Sequence, residues 1–174
     1  MSDQAEEELS TQAEADEDEG DAAVQVAAAS EEKLSLLSAT PSLTATEGTA
    51  LTANVGSLSS GSYYLADGVT LTTDITIASG ATVTIDLNGQ TLTGTGNGSV
   101  ITVNGTLTLT DSSTEGTGVV TGGSASYGGG VYVESNGTFE MSGGTISGNT
   151  ASSNGGGVYV NGGTFTMTGG TISG

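Results

Sequence analysis

From Tyr63 onward, apolar and polar positions alternate along the chain. In VTLTTDITI (Val69–Ile77) the apolar places are Val69, Leu71, Ile75 and Ile77, and in ATVTIDL (Ala81–Leu87) they are Val83, Ile85 and Leu87. Threonine fills most of the places between. A period of two with β-branched residues predicts strands, with one face buried and one wet. Gly80, Gly89, Gly94 and Gly105 punctuate the pattern, so the strands are short, about five residues each. No helical period separates them.

Downstream the pattern repeats itself. GGGVYV starts at Gly128 and again at Gly155, GTF at Gly137 and Gly163, and GGTISG at Gly143 and Gly169. The spacings are 27, 26 and 26 residues, and the one-residue difference falls in a turn, ESNG against NGG. Each unit offers three short strands: GVYV, TFEM and TIS. Propeller blades need ~40 residues or more and four antiparallel strands. A three-strand unit of 26–27 residues fits one turn of a parallel β-helix, in which each strand pairs with its equivalent one turn away, ~4.8 Å along the axis. Equivalent residues then stack. Val131 with Val158, Val133 with Val160, Phe139 with Phe165, Met141 with Met167 and Ile146 with Ile172 are expected inside. Tyr132, Thr138 and Glu140, with Tyr159, Thr164 and Thr166, are expected outside.

This divides the chain into an acidic tail (1–32), a linker or N-terminal cap (33–62) and a solenoid (63–174), with clear repeats at 128–154 and 155–174. VITV, TLTLT and GVV, between Val100 and Val120, join the strands of Val69–Leu92 as two or three less regular turns. Terminal repeats of a solenoid are atypical because one face meets solvent. Over 34–61 the alternation is too weak to assign.

Composition sharpens the picture. The chain has 174 residues, 30 of them glycine, with one proline and no cysteine, so no disulfide or thiolate metal site forms. Residues 1–32 carry twelve acids and no base, whereas the rest carry eight acids and Lys33. The tail lacks the large apolar side chains that would offset the entropy of ordering, and reads as disordered. Its alternative is a marginal helix around Ala22–Leu37 that caps the next domain. With a net charge of −19 and a single Lys, the chain cannot displace counterions from a phosphate backbone, so nucleic acid is not an expected partner. An anionic membrane surface is disfavoured likewise, and no apolar run reaches the ~20 residues of a membrane span.

ISGNTASSNGGGVYV resembles the repeats of right-handed parallel β-helix surface proteins of the pectin-lyase-like fold. In style it is similar to the repeat of chlamydial polymorphic outer-membrane proteins, an aromatic–x–x–Asn followed by Gly-Gly-Ala-Ile. Ile146-Ser147-Gly148-Asn149 stands at the first motif, with Ile replacing the aromatic, and Gly155-Gly156-Gly157-Val158 at the second. The specific resemblance covers Gly118–Gly174; Tyr63–Thr117 matches in texture only. It implies an extracellular or cell-surface protein used for adhesion or display. No basic-then-apolar signal peptide opens the chain, and Gly174 falls inside a repeat, so both a start upstream and further repeats downstream are expected.

Chemistry is sparse. The same fold hosts polysaccharide-degrading enzymes, so fold does not decide function. Those lyases use an Arg or Lys base, usually with calcium, but this chain has no Arg, no His, and Lys33 outside the repeats. Glycosidases need two facing carboxyls. The acids from residue 63 onward, Asp67, Asp74, Asp86, Asp111, Glu115, Glu134 and Glu140, read as solvated acids on the faces. Asp86-Leu87-Asn88-Gly89 reads as a turn after a strand, lacking the further acids of a calcium loop. The sequons at Asn97, Asn104 and Asn136 read as turn dipeptides, and Gly128–Gly130 precedes a strand rather than a phosphate-cradling helix.

The expectation is therefore a non-enzymatic surface solenoid without cofactor or metal, whose partners are glycans, surface proteins or its own remaining repeats. Two alternatives stay open. One is a polysaccharide-active enzyme with its catalytic turns beyond Gly174. The other is a weak carbohydrate-binding module using Tyr132 and Tyr159, with Tyr127 nearby, as an outward ladder of sugar platforms.

Overall fold

The computed structural model describes residues 48–174; the acidic tail expected at 1–32 and the first half of the linker or cap, 33–47, lie outside the described residues. Every regular element among them is a strand. No helix there is long and apolar enough to cross a membrane. The strands wind into a parallel β-helix with three faces.

Face 1 carries Ser57–Leu58, Ile75–Ile77, Ile101–Val103, Val131–Val133 and Val158–Val160. Face 2 carries Gly61–Tyr64, Thr82–Asp86, Thr106–Thr110, Thr138–Met141 and Thr164–Met167, with Thr49–Ala50 on its edge. Face 3 carries Val69–Thr70, Thr91–Thr93, Val119–Thr121, Thr145–Ile146 and Thr171–Ile172. The chain passes through the faces in the order 1, 2, 3, so the five strands of face 1 are separated by four full turns. From the third coil a fourth strand is added between faces 3 and 1: Ser124–Tyr127, pairing with Thr150–Asn154 one coil later.

The repeat alignment is the observed register. Val131 pairs with Val158, Phe139 with Phe165, Met141 with Met167 and Ile146 with Ile172. The ladders also run into the less regular coils. Ile77, Val103 and Val133 follow one another on face 1; Val83, Leu107 and Phe139 do so on face 2, and Leu92, Val120 and Ile146 on face 3. All nine are fully buried. Burying a Val, Leu, Ile or Phe is worth about 1.5–3 kcal/mol each, and here one short strand per face supplies one or two such residues per coil. In the fifth coil Val160 and Met167 are 37% and 42% exposed, against 0% for Val133 and Met141. The stack of coils, more than any single strand, makes the core.

Strand structure begins earlier than residue 63. Thr49–Ala50 pairs with Tyr63–Tyr64, Ser57–Leu58 pairs with Thr76–Ile77, and Leu51 and Leu58 join the core. These strands are two residues long, too short to display a period, and the expected boundary at 62/63 falls within Gly61–Tyr64.

Corners join the faces, and Asp86-Leu87-Asn88-Gly89 is the turn expected of it. Gln90 N–H donates to the Leu87 carbonyl at 2.8 Å, and Asn88 and Gly89 take φ of 48° and 75°. That left-handed pair is what Asn-Gly supplies cheaply.

Candidate functional site

Outward positions on the three faces are mostly hydroxyls. On face 2, Thr82, Thr106, Thr138 and Thr164 stack in one row. Beside it runs a second row of Thr84, Thr108, Glu140 and Thr166. Face 1 begins in the same way with Ser57, Thr76 and Thr102, and then changes character: the next two residues in that row are Tyr132 and Tyr159.

Those rings form the one aromatic cluster on the outside of the described coils. Tyr132 and Tyr159 stack with centroids 5.7 Å apart and planes 13° from parallel. Tyr127, at the end of the extra strand, tilts against Tyr159 at 5.0 Å and 35°. Offset stacking at these separations is favourable beyond the area it buries. The Asn161 side-chain amide donates to the Tyr132 hydroxyl at 2.9 Å and to Glu134 Oε2 at 3.5 Å. Tyr132 and Tyr159 are half-buried, whereas Tyr127 is 42% exposed. The expected ladder is present, and the ring most open to a ligand is Tyr127.

A second feature was not legible beforehand. The extra strand Ser124–Tyr127 and its partner Thr150–Asn154 line a shallow, open depression together with the corner Gly96–Gly98. Ser124 N–H donates to the Gly98 carbonyl, and the Ser99 hydroxyl donates to the Tyr127 carbonyl, tying that corner to the strand. Its sequence signal is only SAS and TAS at the same place in successive coils, without an apolar residue to mark a strand.

The acids were expected to be solvated, and at the corners this is corrected. Asp86 is buried, and its Oδ1 accepts the amides of Asn88 and of Ser112 in the next coil, each at 2.9 Å. Asp111, one coil on, accepts Gly89 N–H at 2.8 Å, Ser113 N–H and Oγ–H at 3.2 and 2.7 Å, and Gly118 N–H at 2.6 Å. Asp74 accepts the Thr95 amide and hydroxyl. A tight corner leaves amides pointing at one spot without a strand partner, and a carboxylate satisfies several at once. For Asp111, burial opposes ionisation. The Ser113 hydroxyl and the Gly118, Gly89 and Ser113 amides outweigh it and hold the carboxyl below its ordinary value of 3.8.

Asn149, within the stretch that resembles the surface-protein repeat, is also buried. Its Oδ1 accepts Gly123 N–H at 2.9 Å, and its Nδ2 donates to the carbonyls of Val120 and Ser147 at 3.0 and 3.1 Å. The side chain replaces missing strand bonds at the corner after face 3. Its role there is to hold two coils together.

No family model matches this chain, and no curated protein or solved structure matches it either.

Proposed function

We propose that this chain is a non-enzymatic, extracellular or cell-surface β-helix module of the pectin-lyase-like type, serving in display or adhesion. One observation carries the reading. Asp74, Asp86 and Asp111 are committed to corner amides, while the outward rows present mostly hydroxyls, with Glu140 among them, and one tyrosine cluster. Such a surface recognises by many small contacts. A stacked ring adds about 0.5–1.5 kcal/mol, too little alone to offset the cost of immobilising a partner. Multivalent presentation raises avidity by about 10²–10⁴ without a new contact.

Beads coated densely with the chain test this. They are expected to adhere to glycan- or protein-coated surfaces on which the free chain shows only weak binding. Pectin, xylan and glucan incubated with the chain are expected to release no new reducing ends. Cleavage of any of these polymers would sink the reading in favour of a polysaccharide-active enzyme. A second reading, carbohydrate contact through Tyr132 and Tyr159, is favoured by their near-parallel stack. It predicts that the Tyr132→Ala/Tyr159→Ala chain loses adhesion to glycan surfaces and keeps adhesion to protein surfaces.

A further inference from the structure

We infer that Asn97-Gly98, in the connection between Thr91–Thr93 and Ile101–Val103, is a self-modification site at which the asparagine amide is converted to an acid. The site plays no part in the display reading.

The reaction needs only water. The Gly98 nitrogen gives up its proton and attacks Asn97 Cγ. The Cγ–Nδ2 bond breaks, and Nδ2 leaves with a proton as ammonia. The cyclic imide that remains holds the Gly98 nitrogen between Asn97 Cγ and the Asn97 main-chain carbon. Water opens it on the Cγ side to aspartate, and on the main-chain side to isoaspartate, in which the backbone runs through the side chain. Glycine in second place favours the attack because it has no Cβ to crowd the ring.

Glycine follows asparagine at 88, 97, 104, 136, 154 and 161, and the fold treats these pairs differently. Asn88, Asn97, Asn104 and Asn136 all lie in coils paired on both sides. At Asn88 the nucleophile is occupied: Gly89 N–H donates to the Asp111 carboxylate at 2.8 Å. The Asn88 amide is also held, donating to the Leu65 carbonyl at 3.0 Å. At Asn136, Gly137 N–H donates to the Glu134 carbonyl at 2.8 Å. Asn104 is restrained by packing. It is half-buried, and a Cβ on the buried Gly105 would strike the carbonyl oxygens of Ala78 and Ala81, so that peptide has no room to turn.

Asn97 meets none of these restraints. It is exposed, and Gly98 N–H has no hydrogen-bond acceptor among the described residues. Its side-chain amide reaches only the Thr95 carbonyl at 3.4 Å, longer than an ordinary hydrogen bond.

The product alters the corner. The Gly98 carbonyl accepts Ser124 N–H at 2.9 Å and so anchors the strand Ser124–Tyr127. Isoaspartate puts an extra backbone atom immediately before Gly98. Either acid adds a negative charge near Asp74, whose Oδ2 lies 2.7 Å from where a Cβ of Gly98 would stand. No base among the described residues offsets it.

The test ages the full chain at pH 6 and pH 8, both folded and in urea, and digests it with pepsin. Electron-transfer fragmentation then locates each new acid and tells aspartate from isoaspartate. In the folded chain Asn97 is expected to convert about two- to tenfold faster than Asn136, where a neutral hydrogen bond must break first. Against Asn88, whose glycine is bonded to a carboxylate, the factor is expected to be about tenfold to a hundredfold. Conversion should be faster at pH 8, since the attacking nitrogen must lose its proton. In urea the four rates are expected to converge. Asn97→Gln, whose longer side chain closes its larger ring slowly, is the control, with circular dichroism confirming its fold. After ageing, the Ser124 amide of the native chain is expected to exchange about tenfold faster, and that of the variant to stay as it was. Asn88 or Asn136 converting as fast as Asn97 in the folded chain would overturn the inference. So would the same ranking in urea, which would assign it to neighbours in sequence, or a folded Asn97 that stays intact while the urea-treated one converts. Equal loss of Ser124 protection in the native and Asn97→Gln chains would overturn the effect on the corner.

Discussion

The Asp111 carboxylate accepts the Gly89 amide of the preceding coil at 2.8 Å, a side chain doing between coils what the backbone does within a sheet. The same carboxylate gathers Ser113 and Gly118 from its own coil. Asp86 makes the reciprocal reach, accepting Ser112 from the coil above. Two acids thus cross-link one corner in both directions.

This fixes a pH dependence. Because the folded pKa of Asp111 lies below its ordinary 3.8, the stability it contributes is fully present above that value. It is lost as pH falls through 3.8 and on through the depressed folded value. Asp111→Asn replaces one acceptor oxygen with an NH₂ that faces the Gly118 N–H. At neutral pH the variant is expected to lose about 1–3 kcal/mol. The gap between the two proteins should close below pH 3.8, as the native carboxylate takes up its own proton. Urea melts across pH 2–7 measure this, and a gap that stays constant with pH would remove the charge from the account.

Much of the fold was readable because a repeat aligns its own register. Once GTF at Gly137 matches GTF at Gly163, Phe139 must lie on Phe165, and the rings do stack at 5.0 Å. Alternation then decides that Glu140 faces out. The strands at Thr49–Ala50 and Ser57–Leu58 escaped because two residues carry no period. Ser124–Tyr127 and Thr150–Asn154 escaped for a different reason: they bury no large side chain, so nothing in their composition separates a strand from a loop. The corner acids and Asn149 are polar residues whose partners are mostly backbone amides and carbonyls brought together by the corner, some of them from another coil, and a sequence does not display those.

Asn149 is the sharper test of that last point. Its Nδ2 donates to two carbonyls, Val120 and Ser147, inside the corner. Asn149→Asp would aim a carboxylate oxygen at both. The buried carboxyl is then better protonated than charged, which raises its pKa in the folded state. A raised folded pKa means stability that is present at low pH and lost as pH rises, opposite in sign to the effect of Asp111. Asn149→Ala has no such dependence, and is expected to cost about 1–3 kcal/mol by stranding the Gly123 amide. Thermal melts of both variants at pH 3 and pH 7 decide it. Measured against the native chain at each pH, an Asp variant that loses no more stability at pH 7 than at pH 3 would show that the side chain leaves the interior.

The glycines make a separate prediction, since two of them do different work. Gly116 has φ of +61° and open space around its missing Cβ. Alanine there costs only the backbone strain of a left-handed residue, about 1–2 kcal/mol. Gly123 has no such φ; its constraint is contact. A Cβ at Gly123 would run into the carbonyl oxygen of Gly129, and would also sit 2.9 Å from Val100 Cγ2. Gly129 belongs to a backbone rung, its amide bonded to Gly155 and its carbonyl accepting from Val100, so relief requires separating paired coils rather than turning a side chain. Overpacking costs about 1–3 kcal/mol and occasionally more, and a clash with paired backbone belongs at the upper end. Gly123→Ala is therefore expected to lower the urea midpoint well beyond Gly116→Ala. Its loss of hydrogen-exchange protection should centre on Val100, Gly129 and Gly130, the amides of that rung. Equal midpoints for the two variants would mean that the close approach of the Gly129 carbonyl does not constrain Gly123.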